Sequence, residues 1–178
     1  MTHQTSTLFV SILSSVLLSA CAGTPSQTAK DYRPETEARV RVYWGANVTF
    51  YLNTACVTGE AKHFVASKPG LSSLSNKTVG MPVPPDAARY FHEYIVPAGQ
   101  PMTVRAQISS QQLINGKQYR VTDPATASTF VPEHGHDYEI LVQDNDGPDE
   151  IFARELVSSV NGTSTVPHPL KSTSSCKP

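Results

Sequence analysis

The chain is short of charge. Asp, Glu, Lys and Arg make up 16% of its 178 residues, and 14 basic against 15 acidic side chains leave a net charge of −1. Globular domains ordinarily carry about a quarter charged residues, and a nucleic-acid binder needs a basic excess to meet the phosphates. No nucleic-acid partner is expected. Long apolar runs are missing too: the longest, Leu8–Leu18 (LFVSILSSVLL), has eleven residues, against roughly 20 for a transmembrane helix. There is no Gly-x-Ser-x-Gly turn, no glycine-rich phosphate loop and no His-Glu-x-x-His pair. These arrangements place a nucleophile, a phosphate or a zinc ion for chemistry, so the chain is read as a non-enzyme that needs no cofactor. A hydrolase whose groups converge from distant positions is the alternative.

What is present begins with the apolar run itself, which has the length of a signal-peptide core. Met1–Thr7 before it holds no Lys or Arg, a departure from the usual pattern. After it comes Leu18-Ser19-Ala20-Cys21, which resembles the lipobox of bacterial lipoproteins. That resemblance implies cleavage before Cys21, a diacylglycerol on its thiol and acylation of the new amine. One acyl chain binds a membrane only marginally, whereas two or three hold firmly. Ala22 rather than Asp follows the cysteine, which by the same resemblance implies the outer membrane, with the domain facing the periplasm. An ordinary secretory signal cut near Ala22 is the other reading.

The cysteines total three, Cys21, Cys56 and Cys176, and an odd count in an exported chain leaves one thiol to explain. If lipid takes Cys21, Cys56 and Cys176 form a possible disulfide in an oxidising compartment; two free thiols are the alternative. The expected organisation is a signal peptide over 1–20, a lipidated flexible tether over 21–37, and a β-sandwich domain over 38–178.

Period-two alternation runs through that domain. Val40, Val42 and Trp44 oppose Arg39, Arg41 and Tyr43, and Val48, Phe50 and Leu52 repeat the pattern after Gly45-Ala46-Asn47, a gap that suggests a hairpin. Further strands are expected at 62–66, 90–96, 102–108, 129–131 and 137–143, the last with Tyr138, Ile140 and Val142 on one face. The stretch 150–160 fits a helix, grouping Phe152, Leu156 and Val160, or a strand folding back on 138–143; the strand is preferred. The fold class is therefore all-β, an antiparallel β-sandwich of about seven to eight strands. Two phrases, Val96-Pro97-Ala98-Gly99-Gln100-Pro101-Met102-Thr103-Val104 and Thr129-Phe130-Val131-Pro132-Glu133-His134-Gly135-His136-Asp137-Tyr138-Glu139, resemble small proteobacterial lipoproteins with transthyretin-like or immunoglobulin-like sandwiches. The resemblance implies a fold, not a reaction.

Candidate sites are few. His134 and His136, two positions apart, could share a strand face and hold Zn or Cu, with His63, His92 or His168 brought near by the fold; Gly135 between them marks a turn instead. Asp144, Asp146, Asp149 and Glu150 offer calcium-type oxygens but also read as an ordinary Asp-Gly turn. The segment 67–88 carries Pro69, Pro82, Pro84 and Pro85 and is long enough to be a contact surface for an envelope protein. The functional expectation is a membrane-anchored, noncatalytic binding or structural accessory module. A periplasmic metal or small-ligand binder is the alternative.

Overall fold

A computed structural model describes residues 27–70, 74–144 and 148–177. The expectations about the signal peptide 1–20, Cys21 and the start of the tether lie outside those residues, as does the one about Asp146. The strands, in chain order, are β1 (Glu37–Tyr43), β2 (Asn47–Leu52), β3 (His63–Ser67), β4 (Phe91–Pro97), β5 (Met102–Gln107) and β6 (Ser109–Ile114). They continue with β7 (Lys117–Thr122), β8 (Thr126–Phe130), β9 (Asp137–Gln143), β10 (Glu150–Ser159), β11 (Gly162–His168) and β12 (Lys171–Ser172). One sheet has the order β11-β10-β9-β1-β4, a second the order β12-β8-β5-β2-β3, and β6 and β7 form a hairpin of their own.

The two large sheets share one core. Val40 and Val42 of β1 and Tyr138 and Ile140 of β9 meet Phe50 of β2 and Val104 of β5, all essentially excluded from water. Alternation explains this: apolar side chains two apart fall on one face of a strand, and each sheet turns that face inward. The all-β sandwich is thus as expected, and all eight segments read as strands are strands, including 150–160, where β10 pairs antiparallel with β9 from Glu150↔Gln143 to Glu155↔Tyr138.

Four details correct the sequence reading. Four strands, β6, β7, β11 and β12, add to the seven or eight that alternation predicts. The sandwich is not wholly antiparallel, since β1 runs parallel to β9 with Arg39 opposite Asp137 and Arg41 opposite Glu139. Gly45-Ala46 is not a hairpin turn: β1 and β2 lie in different sheets, so the chain crosses the core there, Ala46 is buried and Trp44 stands 46% exposed. Alternation on either side of a gap is the same whether two strands pair or face each other across a core. Finally, residues 27–37 are docked rather than a free tether. The Gln27 side-chain amide donates to Ile95 O (3.0 Å) and accepts from Ile95 N (2.9 Å), acting as one more rung on the edge of β4. A single 3-10 turn follows at Ala29–Asp31, and Tyr32 packs under the Arg39 guanidinium at 4.5 Å.

Candidate functional site

The outer face of the first sheet carries a row of alternating charges, one residue from each of four neighbouring strands. Glu93 (β4) lies opposite Arg41 (β1), Arg41 opposite Glu139 (β9), and Glu139 opposite Arg154 (β10). The contacts are short: Arg41 Nη2–Glu93 Oε1 at 2.6 Å, Arg41 Nη1–Glu139 Oε1 at 2.8 Å and Arg154 Nε–Glu139 Oε2 at 2.6 Å. Arg154 then reaches Asp86 with two N–H groups, and the Tyr43 hydroxyl donates to Glu139 Oε1. Burial, and then the Glu139 carboxylate it serves, push the Tyr43 phenol up to about 12. Burial alone would lower Arg154, but its hydrogen bonds to Asp86 and Glu139 outweigh that and hold the guanidinium above its ordinary value.

This row would be exposed were it not covered by part of the proline-rich segment. Glu93 Oε2 accepts from Thr78 Oγ1 (2.7 Å) and from the backbone N–H groups of Val79 (2.7 Å), Gly80 (3.1 Å) and Met81 (3.2 Å). Arg41 Nη2 donates to Pro82 O at 2.9 Å, and Arg39 Nη1 to Gly80 O at 2.8 Å. Val79 and Met81 close a second small core with Ile95 and Leu156. A buried charge persists only when paired and fully hydrogen-bonded, and the strap supplies the bonds that the sheet cannot. As arranged, these groups fasten the strap to the sheet, and each oxygen of Glu93 and Glu139 already has a donor. Leu141, Phe152 and Pro167, with Arg154, line an open apolar depression of about 490 Å³.

His134 and His136 bond different parts of the chain. Gly135, with a left-handed φ of +81°, turns the chain between them. His134 Nδ1 bonds the Glu35 carbonyl at 2.7 Å, so that nitrogen carries the proton; His136 Nδ1 meets Glu155 Oε1 at 2.7 Å. The ring of His134 also fills the space that a side chain at Gly99 would need, 2.7 Å from an ideal Cβ, and Gly99 N donates to Pro132 O at 2.8 Å. The two phrases singled out in the sequence therefore form one corner of the sandwich, and His134 belongs to its packing.

The disulfide is present. Cys56 and Cys176 are joined across 120 residues with Cα atoms 5.1 Å apart. Around it Val57 N donates to Ser174 O (2.9 Å) and Cys176 N to Val57 O (3.0 Å), so the tail is laced to the loop after β2.

A ligand-like cluster lies elsewhere. Among the described residues, one group of three His, Cys, Asp or Glu side chains brings ligand atoms within 4.8 Å of one another: Asp123, Asp144 and Asp149. Asp149 is 3% exposed. Its Oδ2 accepts from Ile108 N at 2.7 Å, while Oδ1 is buried without a partner among the described residues. Burial pushes the Asp149 carboxyl up, the Ile108 N–H opposes this, and the charges of Asp123 and Asp144 add to it. Sequence reasoning found Asp144 and Asp149 but not Asp123, which stands 21 positions before Asp144; no local spacing signals that meeting.

Comparison with protein-family models, with curated proteins and with solved structures yields no match. The functional reading accordingly rests on this chain's own residues.

Proposed function

We propose that the protein is an exported lipoprotein, anchored in the outer membrane through acyl chains on Cys21, whose β-sandwich is a noncatalytic binding or structural accessory module facing the periplasm. The observation that carries this reading is the Cys56–Cys176 bond. It accounts for two of the three cysteines and leaves the third at the end of a signal-like apolar run, where the lipobox resemblance puts the lipidated residue. A disulfide also belongs to an oxidising compartment outside the cytosol. The docked segment from residue 27 onward leaves a short stretch between Cys21 and the domain, so the sandwich would sit close to the lipid surface. The outward part of the 67–88 segment, with exposed Val83 and Leu74, is the surface offered to an envelope protein, since its inner part is committed to Glu93 and Arg41.

The test is labelling of cells with a radioactive or clickable fatty acid, followed by fractionation. Wild type should take up label and sediment with outer membranes, and Cys21→Ser should do neither. An unlabelled, freely soluble wild type would overturn the anchor. In-cell cross-linking from position 83 should then trap a reproducible partner; a chain recovered alone in every condition would overturn the accessory role. The apolar depression at Leu141, Phe152 and Pro167 favours a second reading, a small apolar ligand. Loss of ligand-dependent fluorescence in Phe152→Ala would mark that site.

A further inference from the structure

Three loops converge at one end of the sandwich. Ile108, between β5 and β6, donates its N–H to Asp149 Oδ2 and accepts at its carbonyl from Asp123 N at 3.1 Å. Gln107 Nε2 donates to Asp123 O at 3.0 Å. Asp123 directly follows β7, Asp144 directly follows β9, and Asp149 directly precedes β10. Two of the carboxylates thus stand on the β9–β10 turn and one at the end of β7, with Asp149 and Asp123 both bonded to Ile108, and no ion pair to a basic side chain involves any of the three among the described residues.

We propose that Asp123, Asp144 and Asp149 form a binding site for a divalent cation, Ca2+ in preference to Mg2+ or Zn2+, which ties the base of the β6–β7 hairpin to the β9–β10 turn. Two observations carry this. The first is spacing: oxygens that share one Ca2+ at about 2.4 Å each can stand no more than about 4.8 Å apart, and the three carboxylates satisfy that limit. The second is independent of the clustering. Asp149 Oδ1 is an acceptor removed from water with nothing among the described residues to accept from, on a residue 3% exposed, in the carboxylate that meets the other two. Buried polar groups in native proteins have partners, and a cation bound here would supply one.

The donor chemistry sets the choice of ion. All three ligands are hard oxygens, which excludes a preference for Zn2+, an ion that favours nitrogen and sulfur. Loop-borne carboxylates open to water on the Asp144 side suit the variable coordination of Ca2+ better than the strict octahedron of Mg2+. Three carboxylates on loops correspond to the weak range of extracellular modules, about 10⁻⁴ to 10⁻³ M. The hairpin follows from the same geometry. β6 and β7 pair with each other and with neither large sheet, so Asp123 is the end at which a cation would hold them. The site stands whether or not Cys21 carries lipid.

The experiment is calorimetric titration of the full chain, purified in detergent and freed of metal with EGTA, with CaCl2, MgCl2 and ZnCl2 in turn. Thermal melts in EGTA and in 10 mM Ca2+ accompany it. Wild type should show saturable one-to-one Ca2+ binding, a melting point higher by about 3–10 °C at 10 mM Ca2+, and slower amide exchange over 109–122. Asp149→Asn should lose the Ca2+ heat and the Ca2+-dependent part of the melting point while melting in EGTA no lower than wild type, because a neutral amide relieves the repulsion. Asp123→Asn, at a more exposed position, gives the same comparison should Asp149→Asn fail to fold. No saturable Ca2+ heat and no Ca2+ shift in wild type would overturn the proposal, as would Asp123→Asn binding Ca2+ unchanged. Tighter binding of Mg2+ or Zn2+ than of Ca2+ would overturn the choice of ion.

Discussion

Arg41 is fully buried, and its guanidinium divides its N–H groups among Glu93, Glu139 and the carbonyl of Pro82, with the Phe91 ring 4.4 Å away. Removing it leaves two carboxylates facing each other out of water, and breaking a buried pair by deleting one partner costs about 3–5 kcal/mol. Arg41→Ala is expected to lower the unfolding free energy by that amount in urea denaturation; a loss below about 1 kcal/mol, the range of exposed pairs, would show the strap does not seal the row. The alternation of Arg39, Arg41 and Tyr43 against Val40 and Val42 was legible in the sequence. That this outward face is covered was not. The acids that neutralise Arg41 lie 52 and 98 positions further along, and nothing near Arg41 announces them.

At the scale of elements, the segments missed by the sequence reading are those with little apolar patterning. The β6–β7 hairpin is mostly polar, with Leu113 75% exposed, and offers no buried stripe to count. It did hold another signal, Asn115-Gly116, whose positive φ values of 51° and 74° match the turn that two-residue hairpins prefer. Gly116→Val forces a β-branched side chain into the left-handed region, at a cost of about 1–2 kcal/mol. A lone two-stranded ribbon is marginal by itself, so amide exchange should quicken across 109–122 while the melting point of the sandwich stays put. A fall in that melting point would mean the hairpin supports the core. The strand β11 was obscured by Pro167, which is acceptable there because β11 is an edge and its outer side needs no ladder donor. The helix-or-strand choice at 150–160 fell to strand because Ile151 and Ala153 face the core while Phe152 and Arg154 face outward, a period of two and not of 3.6.

For the molecule as a whole, the disulfide ties the last residues to the loop after β2 and so holds β12 against β8. Cross-linking positions 120 residues apart removes unfolded-state entropy worth up to about 4–5 kcal/mol. The double variant Cys56→Ser, Cys176→Ser should lose stability on that scale in urea denaturation and release the tail beyond Lys171 to proteolysis. A tail still protected in the double variant would show that Thr173 and Ser174, through their bonds to Ala127, Ala55 and Val57, hold it without the bond.

Local alternation by itself determined that this chain is all-β and which residues of β1, β5 and β9 face inward. These are properties of short windows, because side-chain direction in a strand repeats every two residues whatever the strand's neighbours. Only the tertiary structure decided that β1 joins β9 in parallel, that the strap at 78–82 seals a row of buried charges, that His134 packs a corner, and that Asp123 meets Asp144 and Asp149. Each of those depends on which distant segments the core brings side by side, and a single sequence carries no local mark of that distance.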